Sequence, residues 1–231
     1  MLGKRRIYAR KPNPLYKKPR LAAPYKRKSS ALTTATKLGI EKKAISFTAN
    51  AVLNTGLSGS LIDFTGRPLN GVKQGDGDSE REGRRITMCG LNIKGLLASS
   101  SISGVTVRIA IVMDTQANKT APQPADVWDD EATVALDICA LRNLNNVRRF
   151  KILYDKRHTI NPSIAFNSST NVQLHNDAQL PFEINLPLND VVNFVNNSDI
   201  HQSISDTSLN IFMWSTNSGT YNLKTRLRYY G

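Results

Sequence analysis

The first 40 residues hold twelve lysine and arginine side chains and no acidic one. Basic side chains concentrated in this way can neutralise the phosphates of a nucleic acid without reading its sequence. Tyr8, Tyr16 and Tyr25 stand among them and offer faces on which unpaired bases can stack, which favours single strands over duplex. The candidate phosphate-binding residues form three clusters: Lys4, Arg5 and Arg6; Arg10, Lys11, Lys17, Lys18 and Arg20; and Lys26, Arg27 and Lys28.

The charge of the chain lies almost entirely in that segment. The formal net charge is +13, yet twelve of the 31 basic residues precede Glu41, which leaves 19 basic against 18 acidic residues in the rest. Residues 1–43 are rich in proline and poor in apolar side chains, so they cannot bury enough surface to offset the entropy lost on ordering. We therefore predict a disordered nucleic-acid-binding arm over residues 1–43 and one folded domain over residues 44–231. A solubilising or nuclear-import tail is the alternative, and the two roles are compatible.

The folded part alternates between apolar and polar side chains with a period of two, the pattern of half-buried strands. In one segment Ile86 and Met88 share one register while Leu91 and Ile93 share the other, which predicts a bulge near Cys89 and Gly90. No long helix is predicted, although residues 126–137, inside the long loop 115–147, could form a helical turn. The predicted strands cover residues 45–53, 85–97, 105–113, 150–155, 182–188, 191–194, 209–213 and 221–229.

About eight strands in two packed antiparallel sheets make an all-β jelly roll, and an immunoglobulin-like sandwich fits the same periodicity. The final strand has the clearest two faces. Lys224, Arg226 and Arg228 are spaced by two and must project from one side, away from the apolar positions between them. A basic strip that binds nucleic acid is one interpretation, and surface or interface cations paired with carboxylates are the other.

An enzyme needs a convergent set of catalytic groups, and the sequence offers none. The three histidines, His158, His175 and His201, lack metal-ligand spacing, so we expect them in loops or at the surface. Gly75-Asp76-Gly77-Asp78 lacks the alternating oxygen ligands of a calcium loop and is interpreted as a turn; a divalent ion held by Asp76 or Asp78 between subunits is the alternative. Neither a metal nor a cofactor is therefore expected. Cys89 and Cys139 are predicted to be unpaired thiols, buried or partly buried.

No apolar run approaches the roughly 20 residues that a membrane span needs, so neither membrane insertion nor secretion is expected. Trp128 lies in the acidic loop stretch that includes Asp129 and Asp130. Exposed on a loop, this tryptophan would be a subunit anchor, and its acidic neighbours could pair with Arg84 and Arg85, or with Arg148 and Arg149, of another copy. The alternative is a tryptophan folded over the core of its own domain.

Three segments resemble coat proteins of circular, Rep-encoding single-stranded DNA viruses, a group with circovirus-, nanovirus- and geminivirus-like members. The first runs from Gln74 to Ile86 and continues into Leu91-Asn92-Ile93-Lys94-Gly95. The second is the strand Val105 to Asp114, which ends in aspartate, and the third is Asn146 to Asp155, with an Arg-Phe-x-x-Leu-x-Asp-like pattern. The resemblance covers roughly residues 44–160. The arm lacks the unbroken arginine tracts of circovirus coat proteins.

This resemblance implies a viral jelly roll, a T=1 icosahedral shell of identical copies and an arm that points inward to single-stranded DNA. RNA could replace the DNA in recombinant particles, host import receptors could bind the arm, and the location would be the virion, with a stage in the host nucleus. In jelly-roll letters the three segments would be strands C, D and E, with Ile45 to Leu53 as strand B and Tyr221 to Tyr230 as strand I. Because strand I lies between B and D in a viral jelly roll, Arg108 would then extend the basic strip.

Two other classes of function stay open. One is a non-capsid single-stranded nucleic-acid-binding or movement protein with a β-sandwich core, and the other is a β-sandwich enzyme. The size of the purified species separates the first from a coat protein, because only a shell reaches the megadalton range.

Overall fold

A computed structural model describes residues 42–99, 104–129, 137–161, 163–167, 172–176 and 178–231. The eleven predicted phosphate-binding residues of the arm and Asp130 lie outside these ranges. For residues 163–167 and 172–176 the backbone alone is described. No helix within the described ranges is long and apolar enough to cross a membrane.

The described chain consists almost entirely of strands. They are β1 (Lys42–Val52), β2 (Asn54–Thr55), β3 (Arg85–Ser99), β4 (Val105–Asp114), β5 (Phe150–Ile160), β6 (Ser163–Asn167), β7 (Val172–Asn176), β8 (Ala178–Pro187), β9 (Val191–Asn193), β10 (Ser208–Ser215) and β11 (Thr220–Tyr230). A short helix, α1 (Pro124–Val127), and two 3-10 turns, Leu144–Asn146 and His201–Ser203, lie in the loops.

The strands form two sheets and a separate hairpin. The first sheet has the order β1-β11-β3-β8, with β9 also paired to β3, and the second has the order β2-β10-β4-β5. Strands β6 and β7 pair with each other. Apart from the β4–β5 hairpin, the separate hairpin β6–β7 and the short strand β9, successive strands lie in alternate sheets, which is the connectivity of a jelly roll. An immunoglobulin-like sandwich would keep several consecutive pairs in one sheet.

The lettering of the strands differs from the prediction. Counted along the chain, β1 to β5 are strands B to F, and β8, β10 and β11 are G, H and I. The segments predicted as C, D and E are therefore D, E and F, because the two-residue strand β2 precedes them and has no alternating pattern to reveal it. The prediction that strand I lies between B and D is correct, since β11 lies between β1 and β3.

The main core lies between the two sheets and follows the predicted alternation. In β11 Tyr221, Leu223, Leu227 and Tyr229 are buried and face inward. The bulge predicted near Cys89 is present, because Arg228 is opposite Gly90 while Tyr229 is opposite Met88, which leaves Cys89 without a partner. The extra residue keeps Ile86 and Met88 on the same side as Leu91 and Ile93.

A second core covers the outer face of the second sheet and was not predicted. Strands β4 and β10 are buried on both faces: Ile109 and Ile211 point into the main core, whereas Ala110 and Phe212 contact the second core. A similar switch occurs within β5, where Phe150 packs in the second core but Tyr154 packs against the main core. Plain alternation over the predicted strand 150–155 would place both on one face. The register of β5 shifts between them, at Leu153.

Of the helical turn expected at residues 126–137, the first two residues belong to α1, which begins at Pro124, and Asp137 is also helical. Residues 130–136 of the expected turn lie outside the described ranges. The hairpin β6–β7 had no counterpart in the predicted strands.

Candidate nucleic-acid interface

The outer face of the first sheet carries the predicted basic strip. From Thr220 to Tyr229 the residues of β11 alternate between exposed and buried, so that Lys224, Arg226 and Arg228 all project outward. Antiparallel pairing on both sides of β11 places the same row of the sheet at Thr48, Lys224, Lys94 and Glu183. The strip therefore lies along the middle of a four-stranded surface and not at its edge.

Three further cations share this surface with the strip. Lys42 begins β1, Arg85 begins β3, and Lys94 projects from β3 beside Lys224; all three are exposed. The name basic face is used below for the six residues Lys42, Arg85, Lys94, Lys224, Arg226 and Arg228. Lys42 was not predicted for this face because residues 1–43 were assigned to the arm. Lys94 was not predicted because β3 was lettered C and so was not expected beside β11. Arg85 had been assigned to a subunit contact instead.

One carboxylate, that of Glu183, projects from the outward positions of the four strands, and it already has hydrogen-bond and ion-pair partners. Its oxygens accept hydrogen bonds from the side-chain amides of Asn185 and Asn92, both at 3.1 Å, and Glu183 pairs with Lys94 at 3.4 Å. Hydrogen bonds from Asn185 and Asn92, followed by the charge of Lys94, lower the pKa of the Glu183 carboxyl. Among the described residues, Lys224 and Arg228 have no carboxylate partner, and Arg226 donates from Nε to the hydroxyl of Ser46.

The arm is attached at this same surface. Residue 41, the last of the undescribed N-terminal residues, is bonded to Lys42, and Lys42 is the Cα partner of Tyr230 in β11. Ala44, two residues further along β1, is the partner of Arg228. A rise of about 3.3 Å per residue puts the root of the arm roughly 7 Å along the strand from the row of Arg228.

The loop that leads into Arg84 and Arg85 is held by a buried arginine. Arg81 is fully buried and donates from Nε to the backbone oxygen of Val72 at 2.9 Å, and also to the backbone oxygens of Gly83 and Asn196. Its guanidinium lies 4.1 Å from the ring centroid of Phe194. Burial lowers the pKa of Arg81, but the carbonyl oxygens around it satisfy its donors.

Arg108 does not belong to the basic face, contrary to the prediction. It lies on β4 in the second sheet, is 6% exposed, and forms two hydrogen bonds to Asp155 of β5, at 2.8 Å and 2.6 Å. Its Nη1 also donates to the backbone oxygen of Ala140 at 2.7 Å. The error follows from the lettering, since the strand beside β11 is β3 and β4 is in the other sheet. Through its bonds to the backbone oxygens of Ile138 and Ala140, Arg108 holds these two residues against the second core.

Trp128 is buried and not exposed, which contradicts its assignment as a subunit anchor. It has no solvent exposure, and its ring packs edge-on against Phe212 and Trp214 with centroid distances of 5.0 Å and 5.1 Å. The alternative, a tryptophan folded over its own core, is correct. Asp129, Arg84 and Arg85 are exposed. Arg149, proposed for a contact with another copy, instead pairs with buried Asp114 of its own chain at 2.8 Å.

The remaining candidates lie apart from the basic face. His201 lies in a loop, as expected, but is buried in its 3-10 turn, whereas His158 is half-buried on β5 and so is neither in a loop nor fully exposed; the side chain of His175 is not described. No group of three or more metal-ligating side chains occurs within the described ranges. Both thiols are unpaired as expected, but Cys139 is exposed, while Cys89 is half-buried at the bulge.

Comparisons with known proteins find distant similarities only. No family model matches the chain, and no curated protein does. A solved structure of infectious bursal disease virus, Gx strain, is similar at 10% identity and a TM-score of 0.24 over 83% of this chain. The match spans 32% of that virus chain, about a third of its length. The 60-mer BFDV capsid protein is similar at 9% identity and a TM-score of 0.28, over 83% of this chain and 93% of that one.

Proposed function

We propose that this chain is the coat protein of a small single-stranded DNA virus, which assembles into a T=1 icosahedral shell and packages its genome by electrostatic contacts without sequence specificity. The observation that carries the proposal is the continuity of the twelve-cation arm with the basic face. The basic face presents six outward cations, and its one carboxylate, Glu183, is already paired with Lys94. Because the arm begins at the edge of this face, the two together form an extended binding surface for a polyanion. A jelly roll is a fold that builds viral shells.

Assembly requires contacts between copies, and the loop of residues 141–149, just before β5, exposes apolar side chains that are available for such contacts. Leu141, Leu144 and Val147 are exposed by 70%, 80% and 39%. The loop is held by hydrogen bonds from the side chains of Asn143 and Asn146 to the backbone oxygens of Ala125 and Asp126, each at 3.0 Å. Because these apolar side chains are exposed on a loop that is hydrogen-bonded to the domain, they are suited to contact another copy. This loop replaces Trp128 as the proposed assembly surface.

Removal of residues 1–40 tests the role of the arm. The truncation takes away twelve cations, so the remaining chain is close to neutral, and we expect it to fold as a β domain but to carry little nucleic acid. The 260/280 absorbance ratio of the purified protein should fall sharply while circular dichroism keeps its β-sheet spectrum. An unchanged ratio in the truncated protein contradicts the proposal.

Particle size tests the assembly. A shell of sixty copies of the 25.6 kDa chain has a mass of about 1.5 MDa, measurable by light scattering or by negative-stain microscopy. A species below about 100 kDa at all concentrations would instead favour a non-capsid protein that binds single strands. In that case the basic face would still bind nucleic acid, but the chain would not assemble into a shell. Location in the virion, with a stage in the host nucleus, belongs to the same proposal.

A further inference from the structure

A shallow groove crosses the basic face at the bulge of β3. Gly90 lies between Arg228 of β11 and Pro187 of β8, and neither Gly90 nor Pro187 has a side chain long enough to fill the outward space there. In the next row Asn92 and Asn185 close one end. The bulge groove has a volume of about 310 Å³ and is lined by Cys89, Gly90, Leu91, Asn92, Asn185, Leu186, Pro187 and Arg228.

The groove combines one cation, two amides and an apolar floor. Arg228 has no carboxylate partner among the described residues, and its guanidinium offers both hydrogen-bond donors and a planar face. The two amides are held in place, because Asn92 donates to Asn185 and both donate to Glu183. No described residue donates a hydrogen bond to Oδ1 of Asn92, so this acceptor is available to a ligand.

We propose that the bulge groove takes one unpaired nucleotide of the packaged strand, with Arg228 on its phosphate or stacked on its base and the Asn92 amide at the edge of the base. The proposal rests on the proposed function. Single-stranded nucleic acids are held by proteins that stack bases on aromatic rings or arginine planes and bind their edges with amides. The surrounding cations Arg226, Lys224 and Lys94 would hold the phosphates on either side of that nucleotide.

Cys89 lines the groove and reports directly on its occupant. The probe is an oligothymidylate with one cytosine whose N4 carries a thiol tether, added to the full chain under mild oxidation. Cys89 is half-buried, and burial raises its thiol pKa, whereas Cys139 is exposed, so an untargeted probe should react faster at Cys139. We expect the disulfide to form mainly at Cys89. Preferential reaction at Cys139 overturns the proposal.

Two matched substitutions separate the groove from the rest of the basic face. Gly90 and Ala44 are the Cα partners of Arg228 on its two sides, and only Gly90 lines the groove. A Cβ on Gly90 would lie 3.4 Å from the backbone oxygen of Leu186, the lower limit of ordinary contact, so the position accepts a side chain and Gly90→Val reduces the space in the groove. Ala44→Val adds comparable bulk to the same face on the other side of Arg228.

The binding probes are a twelve-nucleotide thymidine strand and an abasic strand of equal length and charge. Gly90→Val should weaken binding of the thymidine strand about fivefold, the lower end for loss of one stacked base, and leave the abasic strand unchanged. Ala44→Val should alter neither. If Gly90→Val matches the unsubstituted chain on both probes, or weakens both equally, the groove holds no base. If the unsubstituted chain binds neither probe, the proposed function fails, and this inference fails with it.

Discussion

Replacement of the three β11 cations measures how much the basic face contributes to binding. Lys224, Arg226 and Arg228 are exposed and carry no ion pair among the described residues, so changing all three to glutamine should alter the free energy of unfolding by about 0.5 kcal/mol or less per site. Each phosphate neutralised on a single strand contributes about −0.7 to the slope of log affinity against log salt. Loss of three contacts should therefore make the slope shallower by about 2.

The slope is measured by fluorescence anisotropy of a labelled strand between about 0.05 and 0.3 M salt. A second triple change, at Lys119, Lys151 and Lys156, serves as the control, because these lysines are also exposed and the loss of charge is the same. Lys151 and Lys156 lie on β5 in the second sheet. We expect the control to keep the slope of the unsubstituted chain. Equal slopes for the two triple variants would mean that net charge governs binding and that the basic face has no special role.

Three further predictions concern stability and assembly. Trp128→Ala should lower the free energy of unfolding by about 3–5 kcal/mol, measured by urea denaturation, because a fully buried indole is lost; a value below about 1 kcal/mol would contradict its burial. Burial lowers the pKa of His201 below 6.5, so the folded state binds this proton at a lower pH than the unfolded chain does. Unfolding free energy should therefore decrease as the pH falls through about 6.5, and His201→Gln should reduce this dependence. Leu144→Asp should prevent megadalton assembly without loss of the β-sheet spectrum, whereas Thr120→Asp, an exposed change outside both that loop and the basic face, should not; shells of normal size from Leu144→Asp would contradict the assembly surface.

The first sheet and the inner faces of the strands could be predicted because each has one buried and one exposed side. In β11 a single alternating pattern separates Leu223 and Leu227 from Lys224 and Arg226, so the face that each residue occupies follows from the sequence alone. In β3 the change of register at Cys89 is equally visible, since apolar residues can only stay inside if one residue is added to the strand.

Strand order and the second core could not be predicted from the same signal. Strands β4 and β10 are buried on both faces, so Arg108, Ala110 and Asn210 read as outward polar or small residues although all three are buried. The outer faces of β4 and β10 are covered by Trp128, Ile138 and Ala140, which lie outside both strands in the sequence. The periodicity of a strand does not reveal such contacts. The bidentate pair of Arg108 with Asp155 depends likewise on the neighbouring strand, and a two-residue strand such as β2 has no periodicity at all.

The unpaired position of Cys89 has a consequence for how sequences related to this one can be aligned. Removing Cys89 joins Met88 to Gly90 and restores plain alternation, with Met88 inward, Gly90 outward and Leu91 inward. Removing Asn92 instead would place Leu91 next to Ile93 and send one of them to the solvent side. A one-residue gap at residue 89 is therefore one that β3 accepts without a new bulge, and a relative that carries it would keep both faces of the sheet while losing the widened ladder beside Arg228.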